Sequence, residues 1–149
     1  MGARRPPSLL ARALALQARR EHSRAELAQR LAPHAQSAED IERTLAVLAG
    51  TGWLSETRFA EALVHRRAER FGVARIRHEL KHKGITGELL RSATAALAAD
   101  EIERARAVWR KKFGVAPANA AERAKQMRFL ASRGFAAEAV RKVVGGDEE

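Results

Sequence analysis

The chain has 149 residues, 46% of them hydrophobic and 31% charged, a net charge of +10 and no cysteine. The length suits one domain, or a few small modules that share cores, and the balance of apolar to charged residues is that of a globular chain. Disulfides and thiolate metal centres are excluded, and no apolar run approaches the length of a membrane span.

Alanine, leucine, arginine and glutamate dominate, and β-branched residues never alternate over a strand's length, so an all-α fold is expected. The start, Arg4-Arg5-Pro6-Pro7-Ser8-Leu9-Leu10, has the look of an export signal. Arg12 breaks the apolar run and Arg19-Arg20-Glu21 ends it, so the expectation is a cytoplasmic protein.

Ser8 is positioned to cap a first helix carrying Leu10, Ala13 and Leu14. Ser23-Arg-Ala-Glu26 is a capping box for a second, with Leu27 and Leu31 four apart and Pro33 near its end. Ser37 opens a third, whose Ile41, Leu45 and Leu48 share a face, and Gly50-Thr-Gly52 stops it. Trp53-Leu54 anchors the turn. Ser55 caps a fourth helix expected to run to about Phe71, with Phe59 and Leu63 inward. After Gly72 comes a short helix with Ile76 and Leu80, ended by Gly84. Thr86 is expected to cap the next, with Leu89, Ala93 and Leu97 inward. Asp100 is expected to cap a basic helix reaching Phe113, with Ile102, Ala105 and Trp109 on one face. Gly114 stops it. Pro117-Ala-Asn119 leads to a helix with Met127 and Leu130, Gly134 ends that one, and a last helix spans Phe135 to Val144. The Trp and Phe side chains read as core.

These nine helices fall into three sets of three. Arg70-Phe-Gly-Val-Ala74 returns as Lys112-Phe-Gly-Val-Ala116, and Leu80-Lys-His-Lys-Gly-Ile85 returns as Leu130-Ala-Ser-Arg-Gly-Phe135. Leu27 and Leu31 match Ile76 and Leu80, although Pro33-His34 replaces the glycine stop. A unit of about 40 residues buries little by itself. The expected architecture is an elongated array of three tandem three-helix repeats, each leaning on the next. The boundaries are a flexible segment 1–8, repeats 9–54, 55–99 and 100–144, and an acidic tail 145–149.

Charge is distributed in blocks. Residues 1–34 carry +5, residues 63–83 carry +5 and residues 104–142 carry +9, with acidic stretches between them. Such blocks build basic patches that attract phosphate backbones or an acidic protein surface. The candidate contacts are Arg66, Arg67, Arg70, Arg75, Arg77, Lys81 and Lys83 around Gly72, then Arg110, Lys111 and Lys112, then Arg128 and Arg133. Arg104 and Arg106 belong to the second patch. With the aromatics assigned to the core, no stacking platform is left for sequence-specific single-strand recognition.

One motif points elsewhere. His78-Glu-Leu-Lys-His82 matches H-E-x-x-H, in which two His on one helix face hold Zn²⁺ and the Glu polarises water. Ile76 and Leu80 place the His pair on the opposite, exposed face, and Arg75, Arg77, Lys81 and Lys83 repel a dication. No metal, cofactor or catalytic group is expected. There is no Gly-rich phosphate loop with strand and Lys, and no acidic pair in an apolar setting.

Four stretches carry a resemblance: Ala18-Arg-Arg-Glu-His-Ser-Arg-Ala-Glu-Leu27, Gly52-Trp-Leu-Ser-Glu-Thr-Arg-Phe-Ala60, Arg75-Ile-Arg-His-Glu-Leu-Lys-His-Lys-Gly-Ile85 and Arg128-Phe-Leu-Ala-Ser-Arg-Gly-Phe135. In that order and spacing they resemble the RecX family of bacterial RecA regulators, from about Leu9 to Val144. The resemblance implies a row of three-helix repeats and a non-enzymatic modulator that binds the RecA nucleoprotein filament. It would lie along the filament groove and restrain recombinase, ATPase and coprotease activities in DNA repair and the SOS response. A monomer that also touches DNA without sequence preference, and no membrane, is the matching expectation. Two positions depart from the family pattern: Ser55-Glu-Thr-Arg58 stands where Asp-Asp-Glu-Arg is usual, and Ala136 where a capping Ser is common. The competing reading is a helix-turn-helix transcription regulator formed by Ser37 to Phe71 around Gly50-Thr-Gly52.

Overall fold

A computed structural model describes residues 5–145, so residues 1–4 of the expected flexible segment and 146–149 of the acidic tail lie outside the description. Among the described residues there are nine α-helices and no strand: α1 Leu9–Arg19, α2 Arg24–Leu31, α3 Ala38–Gly50, α4 Glu56–Arg67, α5 Val73–His82, α6 Gly87–Thr94, α7 Glu101–Lys112, α8 Ala120–Ser132 and α9 Ala137–Val144. Short 3₁₀ turns follow α2 (Ala32–His34) and α6 (Ala95–Asp100).

Local chemistry sets most helix starts. The hydroxyls of Ser8, Ser37 and Ser55 accept from the backbone N–H three residues on, and Asn119 does the same for Glu122. Ser23 and Glu26 complete the capping box in both directions. Thr86 and Asp100 make no capping bond. Asp100 ends a 3₁₀ turn at φ −119°, ψ 15°, and its carboxylate instead receives Arg104 of the next turn. Ala136, with no side-chain acceptor, leaves α9 uncapped by a side chain.

Three apolar clusters form along the chain. Ala13, Leu27, Leu31, Leu45, Leu48 and Leu54 build the first. Phe59, Leu63, Phe71, Ile76, Leu80, Ile85, Leu90 and Leu97 are in the second. Ala105, Leu130, Phe135, Ala139, Val140, Val143 and Val144 make the third. Each cluster is closed by three consecutive helices, so the fold is an elongated array of three tandem three-helix repeats. The helices that a helix-turn-helix would pair, α3 and α4, send their apolar faces into different clusters.

Equivalent turns end the middle helices of the second and third repeats. Ile85 N–H donates to Leu80 at 2.9 Å with Gly84 at φ +85°, and Phe135 N–H donates to Leu130 at 3.3 Å with Gly134 at φ +87°. The first repeat, lacking that glycine, ends α2 in the Ala32–His34 turn through Pro33. The shared Phe-Gly-Val-Ala tetrapeptides are not equivalent. Gly72 is the residue before α5, with φ −80°, whereas Gly114 leaves α7 at φ +70° into the loop that precedes Asn119.

Besides the missing caps at Thr86 and Asp100, two sequence expectations are corrected. Trp53 is 48% exposed and only Leu54 of that pair is buried, because the turn out of α3 directs Leu54 into the core. Helix α4 ends at Arg67 and does not reach Phe71. Arg104 of the third repeat takes the carbonyls of Ala68 and Phe71, and Gly72 N–H donates to Arg133, so a neighbouring repeat claims the groups that would have continued the helix.

Candidate functional site

The two junctions between repeats take up some of the basic residues. Both junctions share one device. The first helical residue of each following repeat is a glutamate that caps the middle helix of the preceding one. Glu56 Oε1 accepts from Arg24 N–H at 2.6 Å, and Glu101 Oε1 accepts from Val73 N–H at 2.9 Å. The turn glycine of the later repeat then faces that helix start: Gly84 meets the Ala25 methyl, and Gly134 meets the backbone and Cβ of Arg75.

Beyond this they diverge. At the first junction Glu26 is 7% exposed and holds Arg20 at 2.9 Å, the Ser23 N–H at 3.2 Å and Lys83 at 3.2 Å. Burial by itself would raise the Glu26 carboxyl, but the bonds from Arg20, Ser23 and Lys83 outweigh it and lower it to about 2. Nearby His22 is buried against Gln17 and the Arg20 carbonyl, and its pKa is lowered chiefly by desolvation. At the second junction two backbones meet. Gly72 N–H donates to Arg133 at 2.8 Å, Ala74 N–H to Gly134 at 3.3 Å, and any Cβ on Gly72 would overlap the Gly134 carbonyl. Around it, the guanidinium carbons of Arg75, Arg133 and Arg67 lie 4.1, 5.4 and 5.9 Å from the Phe71 ring centre. Arg133 also lies 5.0 Å from the Phe129 ring, which Lys112 approaches at 5.5 Å.

The twelve basic residues expected at the site therefore divide. Arg67 is half-buried and forks onto Glu79, Lys83 is tied to Glu26, Arg75 touches Phe71 and the Ser132 carbonyl, and Arg133 sits by two rings. Arg66, Arg70, Arg77, Lys81, Arg110, Lys111 and Arg128 are exposed and have no ion pair among the described residues; Lys112 is exposed beside Phe129. Arg104, part of the second basic patch, is a positioning group. It is largely buried and donates to the carbonyls of Ala68, Phe71 and Leu97.

The H-E-x-x-H stretch resolves in the same way. His78 and His82 are exposed on α5, and Glu79 is held by Arg67 at 3.0 Å. No group of three potential metal ligands occurs among the described residues.

Sequence reasoning missed Phe71 and Phe129 as partners of arginine, and missed the two capping glutamates. The recurring Arg/Lys-Phe-Gly sequence marked the first ring. Nothing local marked the glutamates, whose targets lie 32 and 28 residues away.

Several clefts open on the surface, and one joins two repeats. An open cleft of about 690 Å³ lies where the end of α4, α7 and α8 meet. Ala68, Ala107, Val108 and Phe129 form its apolar floor, Arg70, Lys111, Lys112 and Arg133 its basic rim, and Glu69 adds one carboxylate.

The arrangement defines a class: an all-helical basic repeat protein, with some cations spent on joining repeats and the rest open to a partner. Residues 55–93 match the family model for the second three-helix domain of RecX, and residues 99–144 match that for the third. Regulatory protein RecX of Ralstonia nicotianae is 52% identical over 143 residues, covering 96% of this chain and 90% of that one. Its counterpart in Leptothrix cholodnii is 54% identical over 145 residues, covering 97% and 92%. A crystal structure of RecX from Lactobacillus salivarius has the same fold, with a TM-score of 0.78 at 15% identity over 92% of each chain. The chain belongs to the RecX family of regulatory proteins.

Proposed function

We propose that the protein binds the RecA–DNA filament in the cytoplasm and restrains RecA's recombinase, ATPase and coprotease activities without catalysing a reaction itself. The observation that carries this reading is a group of exposed cations without an ion pair among the described residues, including Arg66, Arg70, Arg77, Lys81, Arg110, Lys111 and Arg128. They recur on the second and third repeats of the row, a geometry suited to a ligand that is itself extended and repetitive. A filament groove spans several protomers and exposes DNA phosphates to such a row. Contacts to phosphate give salt-sensitive binding with no sequence preference.

The test is RecA-dependent ATP hydrolysis on single-stranded DNA, with the protein titrated in at low salt. Inhibition well below one molecule per RecA protomer is expected. No inhibition would overturn the reading. Arg67, Arg75, Lys83 and Arg133 are poor choices for charge reversal, because Arg67 is forked onto Glu79 within its own repeat and the other three hold a junction. Arg66→Glu and the pair Arg77→Glu with Lys81→Glu leave the junction bonds in place and should weaken binding.

A further inference from the structure

The cleft where α4, α7 and α8 meet combines an apolar floor with a cationic rim, unlike the exposed face of α5 that carries Arg77 and Lys81. Val108 and Phe129 are half-buried there and face an opening of about 690 Å³. A phosphodiester backbone gains nothing from that floor, because phosphate contacts need donors and positive charge. A protein helix gains from it, since an apolar stripe can be buried there while flanking side chains meet the rim. The rim is cationic. Arg70 and Lys111 have no ion pair among the described residues, and Lys112 and Arg133 touch only rings and not carboxylates. A single acidic side chain, Glu69, offsets them.

We infer that this cleft is a docking groove for an acidic amphipathic helical segment of the protein partner, distinct from the surface that meets DNA. The inference rests on the filament reading and specifies which part of the filament the third repeat contacts. The walls belong to two repeats, joined by the Gly72–Arg133 and Ala74–Gly134 backbone bonds and by Arg104, so the groove is formed before binding. Preorganisation of this kind removes an ordering cost from association. Arg77 and Lys81 do not line the cleft and lie on the exposed face of α5, where no apolar floor accompanies them. They are the groups assigned to phosphate.

Ala107→Glu is the discriminating variant. The residue is exposed on α7 and faces the cleft, so a glutamate there fills the groove with a like charge while the core is untouched. Fluorescence anisotropy would follow binding to bare single-stranded DNA and to RecA–single-stranded DNA filaments, with thermal melts to verify the fold. The expected result is a loss of about tenfold or more on filaments with bare-DNA binding kept within about twofold. Lys111→Glu should show the same pattern more weakly. Arg77→Glu with Lys81→Glu should lose bare-DNA binding first. Equal losses on both ligands for Ala107→Glu would make the cleft a DNA site and overturn the inference. Unchanged filament binding by a folded Ala107→Glu would also overturn it, while leaving the filament reading intact. If the wild-type protein itself fails to bind filaments, the filament reading falls and the inference falls with it.

Discussion

The two junctions occupy equivalent places in the array and are held by different forces. Helix α2 begins after Ser23 and α5 after Gly72, and Leu27 and Leu31 stand where Ile76 and Leu80 do. In that register Glu26 corresponds to Arg75 and His22 to Phe71, and matching Gly84 with Gly134 sets Lys83 against Arg133. The first junction therefore joins a buried acid to a base. The second brings two like cations together and holds them on an aromatic ring, beside a backbone contact that leaves no space for a side chain. The shared parts, a capping glutamate and a turn glycine, fix the stacking geometry. The variable parts set how each junction responds to pH and salt. Ion pairs weaken as salt screens or acid neutralises them, whereas an arginine on a ring has no group that titrates in the acid range.

The most severe way to break the second junction is Gly72→Ala. The methyl would overlap the Gly134 carbonyl and the Phe135 amide, so a loss of about 4 kcal/mol is expected, above the usual cost of overpacking because the obstacle is backbone. Urea denaturation would measure it, and Gly50→Ala is the control. Gly50 is the last residue of α3 with nothing near its Cβ position, and its change should be neutral or stabilise by up to about 1 kcal/mol.

At the first junction Glu26→Gln should cost about 3 kcal/mol at pH 7, since Arg20 and Lys83 lose their common anion in a nearly buried site. The pH dependence follows from the lowered carboxyl. The contribution of Glu26 is complete above its ordinary value of 4.5 and is lost as pH falls toward about 2. His22, whose pKa is lowered, adds a separate loss that begins as pH drops below 6.5, because the unfolded chain takes up a proton that the buried ring resists. Stability curves collected from pH 7 to 2 should lose their slope below 4.5 in the Glu26→Gln protein and keep the part that starts near 6.5. An unchanged curve would remove Glu26 from the account.

Phe71→Leu tests the ring at the second junction. It keeps an apolar side chain in the core but leaves Arg75, Arg133 and Arg67 facing one another without the π face. A loss of about 2 kcal/mol is expected, and the mutant should gain stability from added salt where the wild type does not. The smallest effect belongs to Arg58→Ala. Its bonds to Glu21 and the Gly52 carbonyl are exposed, and about 0.5 kcal/mol is expected, vanishing in high salt.

What could be read directly from the sequence was local. Ser8, Ser23, Ser37 and Ser55 cap the helices they precede, because a hydroxyl three residues from a free N–H needs no information from the rest of the chain. Thr86 and Asp100 looked the same on paper and do not cap. The 3₁₀ turn before α7 and the pull of Arg104 on Asp100 are consequences of packing. The candidate site was legible as charge and no further. A tally of arginines and lysines cannot distinguish Arg77, open on α5, from Arg67, forked onto Glu79 across one turn and a loop.

The sequence by itself determined the helices, their apolar faces and the repetition that makes a row of three units. These follow from spacing, caps and glycines that act within a few residues. Only the tertiary structure decided which cations are free. Arg75, Lys83 and Arg133 meet partners in other repeats or in distant turns, and the identity of those partners depends on how one repeat leans on the next. The same leaning made the cleft above Val108 and Phe129, which no stretch of the chain announces, because its floor and rim come from helices that only stacking brings together.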